Sequence, residues 1–436
     1  MHSCSRTRRT EIVPQISVGI KQAVTQNTRG EELSSMSSTN STNSLERELD
    51  TLMREPRDAA IARESSAFDL AAGHFADRVV LFGAGGMGRR TLAGLRRVGI
   101  SPLAFADNNP GSQGREIEGI PVLTPIEAAN RFATSAVFVI TVWSTFAKDR
   151  MQDRIKQLRD LGCQRVVPAG LLFWKYPEEF LPFFPMDLPH KVLPHSSDVR
   201  AALELFEEPE SRQEFVAQLR FRLMMDFDRM GIPRGADAYF QTGLFEMSHE
   251  EVFVDCGAFD GDTIADFLRI QGPSFREIVA FEPDQVNLNN LQERLGGIER
   301  ELRERITVFP YALGAQRGVV VFPSTGSDQS KIGEGTESVQ LVTLDESLEQ
   351  KCPSFIKFDI EGAELDALLG ARRTIERHRP ILAVSAYHQQ SHLWQVPILL
   401  AKACSDYNFY LRPHGAEGWD LVCYAVPDER AIRKTP

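Results

Sequence analysis

The sequence lacks any apolar run approaching the roughly 18 residues that would cross a bilayer as a helix, so no membrane span is expected. It also lacks a CxxC pair. The six cysteines, Cys4, Cys163, Cys256, Cys352, Cys404 and Cys423, are scattered, which argues against a disulfide framework or a structural zinc site and for reduced thiols in a core. Positive charge is in deficit: 49 Lys and Arg stand against 60 Asp and Glu, a formal net charge of -11. That balance offers no electrostatic footprint for nucleic acid or an anionic membrane and suits a cytoplasmic enzyme. What remains is ordinary globular material, 42% apolar and 25% charged, and 436 residues are enough for two or three domains.

Residues 1–45 read as a disordered tail, because EELSSMSSTNSTNSL is too polar to bury a core. Arg6, Arg8 and Arg9 precede IVPQISVGI, but Pro14 and Gln15 break that stretch, which argues against a secretory signal. The composition also fits a start codon assigned too far upstream. Residues 46–74 form a helical lead-in, with Leu49, Leu52, Met53, Ile61 and Phe68 as its apolar positions. Residues 75–175 open with VVLFGAGGMG, a strand running into Gly83, Gly85 and Gly88, and a helix follows that Gly99 should end. The next strand ends in Asp107, near the position of the ribose-binding acid in a dinucleotide fold. Further β–α alternation through VFVITV and RVVPAG makes this a small doubly wound domain. Gly83, Gly85, Gly88 and Asp107 are thus a candidate nucleotide-type site. The alternative is a degenerate nucleotide fold kept for packing.

Residues 176–250 read as a helical connector, with Leu203, Phe206, Phe215, Leu219 and Leu223 on one apolar face. Tyr239 and Phe240 follow and could cover a ligand. The second unit, 251–428, alternates strands and helices from EVFVDCGAFDGDT onward. GVVVFP and VQLVTL flank a glycine-rich segment and predict a hairpin insertion with a mobile tip. Ligands of open parallel sheets sit beyond the carboxyl ends of the strands. Here those ends carry Asp255, Glu282, Tyr311 with Ala312, Asp359 with Glu361, and Tyr387 with His388. Asp260 and Asp262 add acids to the first glycine turn. So many acids disfavour a phosphate ligand and suit a molecule with an ammonium, a ribose and a sulfonium, namely S-adenosylmethionine.

VFVDCGAFDGDT, FEPDQVNLNNL, YALG, VTLD, IKFDIEGAELDALLGA and the late YH occur in order over about 240–428 and resemble the FkbM-type S-adenosylmethionine-dependent methyltransferases. The resemblance implies an α/β fold: a C-terminal class I methyltransferase Rossmann-like sheet of seven strands, the last antiparallel, plus the smaller N-terminal doubly wound Rossmann-like domain. It implies that Asp255, Gly257, Ala258 and Gly261 form the turn under the methionine and ribose, and that Glu282 accepts the ribose hydroxyls. Asp284 and Ala312 would border the adenine, and Asp359 and Glu361 would lie near the methyl group. His388 or Asp359 would serve as the base. Glu364 and Asp366 read as a solvated helix face. Asp359, Glu361 and His388 could together hold a metal through hard oxygen ligands, but carboxylates beside a cationic cofactor account for the same residues, and no metal is expected.

The implied activity is O-methylation of a sugar or sugar-bearing small molecule, with a nucleotide sugar as a candidate partner for the first domain. One alternative is an NAD- or nucleotide-sugar-dependent enzyme acting through that domain, against which stands the absence there of a Tyr-x-x-x-Lys or similar hydride-transfer group. Another is a non-catalytic binding protein with a methyltransferase fold. The sequence leaves the oligomeric state open.

Overall fold

A computed structural model describes residues 44–143, 150–233, 238–323, 325–326, 332–333, 335–404 and 406–432. The expected disordered tail therefore falls almost wholly outside the described residues, as does much of the predicted hairpin tip. Residues 44–53 are helical, followed by the helix Arg57–Ala72. Leu49, Leu52 and Phe68 are buried as expected, but Ile61 points to solvent at 37% exposure.

The first sheet comprises β1 (Val79–Phe82), β2 (Ala104–Ala106), β3 (Glu116–Ile117), β4 (Ile120–Leu123), β5 (Val137–Ile140) and β6 (Arg165–Pro168). Its order is β3-β4-β2-β1-β5-β6, parallel except for the β3–β4 pair. VVLF and VFVI are apolar throughout because these strands are covered on both faces. The sheet reverses its winding between β1 and β5, and the glycine loop lies at that switch point. The helix Gly86–Arg97 leaves the loop. Its end is the glycine cap the sequence predicts: Gly99 has a φ of 80°, and the Ile100 N–H reaches back to the Leu95 carbonyl. Thr124-Pro125-Ile126-Glu127 starts the next helix with a reciprocal capping box.

The connector contains the helices Ser196–Leu205 and Pro209–Met224. Leu203, Phe206, Phe215, Leu219 and Leu223 all enter the core of the second sheet. That sheet contains β7 (Val252–Cys256), β8 (Glu277–Phe281), β9 (Ile306–Phe309), β13 (Phe355–Phe358), β14 (Ile381–Ser385), β15 (Tyr407–Pro413) and β16 (Leu421–Pro427). Its order is β15-β16-β14-β13-β7-β8-β9. Only β16 runs against its neighbours, which is the predicted seven-stranded arrangement. Period-two alternation divides its two faces: Val254 and Cys256 enter one core, and Phe253 enters the other. Between β9 and β13 a separate three-stranded sheet, β10 (Ala312–Leu313), β12 (Glu337–Val342) and β11 (Gly318–Phe322), carries the predicted hairpin.

The two sheets are joined by a buried ion pair. Glu417, in the turn between β15 and β16, accepts from Arg154 at 3.0 Å and from the Met151 N–H that begins the helix Met151–Asp160. Beside it Trp143 lies 4.6 Å from Trp419, ring centre to ring centre, and donates its indole N–H to the Glu417 carbonyl at 2.9 Å.

Candidate active site

At the carboxyl edge of the second sheet the strand ends and the turns that follow them enclose a cavity of about 350 Å³. It lies over β7, the strand from which the chain winds both ways, where an open parallel sheet leaves a crevice. Its lining mixes apolar residues, Phe281, Pro283, Tyr311, Leu313, Phe322 and Ile332, with acids. Asp262, Glu282, Asp359, Glu361 and Asp420 line the cavity against one cation, Lys357.

Gly257 lines the cavity with a φ of 87°. A Cβ there would lie 1.9 Å from the Asp359 carbonyl oxygen, so only glycine allows β7 and β13 to approach this closely at their ends. Glu282 accepts the Phe259 N–H at 2.8 Å and the Asp284 N–H at 2.9 Å. Burial raises its pKa to about 7 despite both bonds. Asp359 accepts the Tyr239 hydroxyl at 2.7 Å on one oxygen. Glu361 lines the wall from a left-handed backbone with φ 54°, a conformation a non-glycine residue holds at a cost. Ala312 lines the cavity as well.

Several expected site residues lie elsewhere. Asp255 is fully buried behind the cavity. Its Oδ1 accepts from Lys357 at 2.9 Å, and it is not among the residues that line the cavity. Lys357, which also donates to the Gly257 carbonyl at 2.7 Å, meets the cavity in its place. Burial alone would depress the Lys357 pKa, but Asp255 and Asp359 raise it. Asp284 does not reach the cavity either: it accepts the N–H groups of Val286, Asn287, Thr325 and Gly326. Ala258 is buried, and Gly261 is the left-handed cap of the helix Asp262–Gln271, where a Cβ would meet Leu291 at 2.6 Å. Asp260 is neutralised by Arg294.

His388 sits one layer back. It is 2% exposed, with Nδ1 2.7 Å from Glu364 and Nε2 3.4 Å from both Asp359 and Glu361. Burial would lower its pKa, but Glu364 and Glu361 hold it well above the ordinary value. It is therefore no free base at the cavity wall, whereas Asp359 does face the cavity. Glu364, expected on a solvated face, is fully buried. Only Asp366 of that pair is exposed. Against the expectation of no metal, Asp359, Glu364 and His388 offer ligand atoms within 4.8 Å of one another.

Lys357, Glu364 and Asp420 were not identifiable as site residues from their types. A lysine within the apolar run FIKF is the one signal that something acidic lies beneath the strand. At the first sheet, Gly88 is required by packing, since a Cβ there would lie 2.0 Å from the Gly83 carbonyl oxygen. Gly85 faces open space. Asp107 accepts from the Ala84 and Asn109 N–H groups at 2.6 and 2.7 Å.

Residues 255–415 match the family model described as the methyltransferase FkbM domain. The solved structure of methyltransferase FkbM from Methylobacillus flagellatus KT is similar over 89% of this chain and 99% of its own, with a TM-score of 0.68 and 24% identity. A putative rRNA-methylase from Clostridium thermocellum covers 44% of this chain and 91% of its own, at a TM-score of 0.28 and 14% identity. Aeropyrum pernix fibrillarin, solved with natively bound S-adenosyl-L-methionine, covers 43% of this chain and 73% of its own, at a TM-score of 0.28 and 13% identity. No curated protein matches the chain.

Proposed function

From a chain that carries an FkbM methyltransferase domain, we propose a methyl transfer from S-adenosylmethionine to a hydroxyl oxygen of a sugar or a sugar-bearing small molecule. The observation that carries this reading is one cavity lined by both apolar and acidic residues, with Glu282 at the end of β8. The donor set fits the cofactor. Glu282 is fixed by two backbone N–H groups and keeps lone pairs for the ribose hydroxyls. Tyr311, Phe281 and Leu313 offer an apolar bed for the adenine. Asp262, Asp359 and Glu361 suit the ammonium and sulfonium charges. Bound there, the cofactor supplies a methyl group already activated for nucleophilic displacement.

The protein's share is then positioning and charge. Gly257 admits the ligand close to the backbone. Tyr239 fixes the Asp359 carboxylate, which takes the proton from the acceptor hydroxyl as the new carbon–oxygen bond forms. Lys357 keeps Asp255 paired and the floor of the cavity rigid. The first sheet, with Gly85 open to solvent, is the proposed seat of a nucleotide-sugar acceptor. Calorimetry with S-adenosylmethionine, followed by radiolabelled transfer to a panel of nucleotide sugars, tests both parts. Asp359→Asn should lose far more in transfer, at least a hundredfold, than in cofactor binding, in line with the usual contribution of a positioned base of about 10² to 10⁴. Absence of cofactor binding by the unaltered chain would end the proposal.

A further inference from the structure

We infer that the floor of the cavity is a divalent-cation site in which Asp359, Glu361 and the Nε2 of His388 are the ligands and Glu364 orients the imidazole. Two buried atoms face each other there without a hydrogen-bond partner among the described residues, Asp359 Oδ1 and His388 Nε2. The His388 side chain is fully enclosed, so water does not satisfy that nitrogen. Nε2 lies 3.4 Å from Asp359 Oδ1 and 3.4 Å from Glu361 Oε1. That is too long for a good hydrogen bond. It is the right spacing for ligands sharing an ion, because metal bonds of about 2.0–2.2 Å leave neighbouring ligands roughly 3–3.5 Å apart.

The other face of the ring is occupied as a metal-bound histidine requires. Glu364 Oε1 stands 2.7 Å from Nδ1 and also accepts the Ile360 N–H at 2.9 Å. A carboxylate in that position keeps a proton on Nδ1, and an ion would take the place of the proton that the acids otherwise hold on Nε2. Glu364 is thereby committed to orientation, and Glu361 completes the set. The left-handed backbone at Glu361 is the strain that directs its carboxylate to this point.

Charge favours the same conclusion. Asp359, Glu361 and Glu364 surround one imidazole, and Asp420 lies in electrostatic range of both Asp359 and His388. Lys357 is already engaged by Asp255. A divalent cation would balance the excess negative charge. Two carboxylates and one imidazole suit Mn²⁺ or Mg²⁺ better than a soft metal. Asp359 and Glu361 line the cavity, so the ion would face the space beside the cofactor and bind the acceptor oxygen there, lowering the pKa of its hydroxyl. That last role rests on the methyl-transfer reading; the site itself does not.

The test uses the full chain treated with chelator and titrated with Mn²⁺, the free ion being followed by electron paramagnetic resonance. The expected result is uptake of one ion per chain, weakened at least tenfold in Glu361→Gln and in His388→Gln. Glu364→Gln should weaken it about 10- to 100-fold, the usual effect of losing an orienting partner. Anomalous scattering from Mn²⁺-soaked crystals of the unaltered chain should place the ion at His388 Nε2, a readout that does not depend on the variants folding. Uptake no greater than that of exposed carboxylates, equal uptake by the Glu361 and His388 variants, or an anomalous peak elsewhere would each overturn the site. S-adenosylmethionine binding measured in chelator separates the two readings: Mn²⁺ uptake without cofactor binding upholds the site and ends the methyl-donor proposal, and cofactor binding without Mn²⁺ uptake does the reverse.

Discussion

Glu282 sits in the cavity wall as a carboxyl group whose pKa burial has raised to about 7 from an ordinary 4.5. The folded chain therefore holds this proton more tightly than the unfolded chain. Its contribution to stability is fully present below about pH 4.5 and is lost as the pH rises through 7. Ligand binding should run the other way, since ribose hydroxyls donate to the ionised form. S-adenosylmethionine affinity, measured by calorimetry between pH 5.5 and 8.5, is expected to rise with pH and level off above about 7. Glu282→Gln should flatten that profile and weaken binding by about 1.5–3 kcal/mol, the size of a hydrogen bond to a charged group. An unchanged profile in the variant would remove Glu282 from the ribose site. At this scale the sequence is informative about residue type and strand position, and less so about which atoms are already engaged. Asp255 and Glu282 look alike as acids ending neighbouring strands. A lysine 102 residues along the chain from Asp255 separates them: Asp255 is covered and Glu282 lines the cavity.

Among the elements, the turn after β8 shows how one side chain can organise two segments. The helix Gln285–Gly296 begins at Asp284, whose carboxylate caps Val286 and Asn287 and also ties down Thr325 and Gly326 at the base of the hairpin. Asp284→Ala removes the cap, worth about 0.5–2 kcal/mol, and strands two further backbone donors. The expected outcome is a lower thermal midpoint, with faster amide exchange at Val286, Asn287, Thr325 and Gly326 and little change across β13 and β14. Faster exchange confined to the helix would mean that the hairpin is held by other contacts. The elements themselves were legible because their signals are local. Apolar runs marked the doubly covered strands, and Gly99 marked a helix end. Glu364 was misread because the helical pattern of Leu365 and Leu368 leaves it beside the apolar face. Only the tertiary arrival of His388 and His392 shows why a carboxylate is buried there.

For the molecule as a whole, the decisive contact is the one between its sheets. Arg154 and Glu417 are 2% and 3% exposed, and removing the carboxylate from an enclosed guanidinium costs about 3–5 kcal/mol. Glu417→Ala should therefore lower the thermal midpoint well beyond the effect of a surface substitution. Arg154→Met combined with Glu417→Gln should recover much of the loss, because the double variant leaves no bare buried charge and the amide oxygen can still accept from the Met151 N–H. Equal loss in the single and double variants would show that the pair contributes only through its shape. Nothing in the sequence announces this pair, which joins residues 263 positions apart.

The turn that supplies Glu417 also supplies Asp420, one to the joint between the sheets and the other to the cavity wall. Its consequence is genealogical. A recombination event that exchanged the first half of the gene at the connector would bring in a new sheet but leave behind, near the far end of the reading frame, a carboxylate shaped for the old one. Chimeras joined at the connector should thus fail unless residues 414–420 travel with the incoming half, which makes the two sheets a single unit of inheritance.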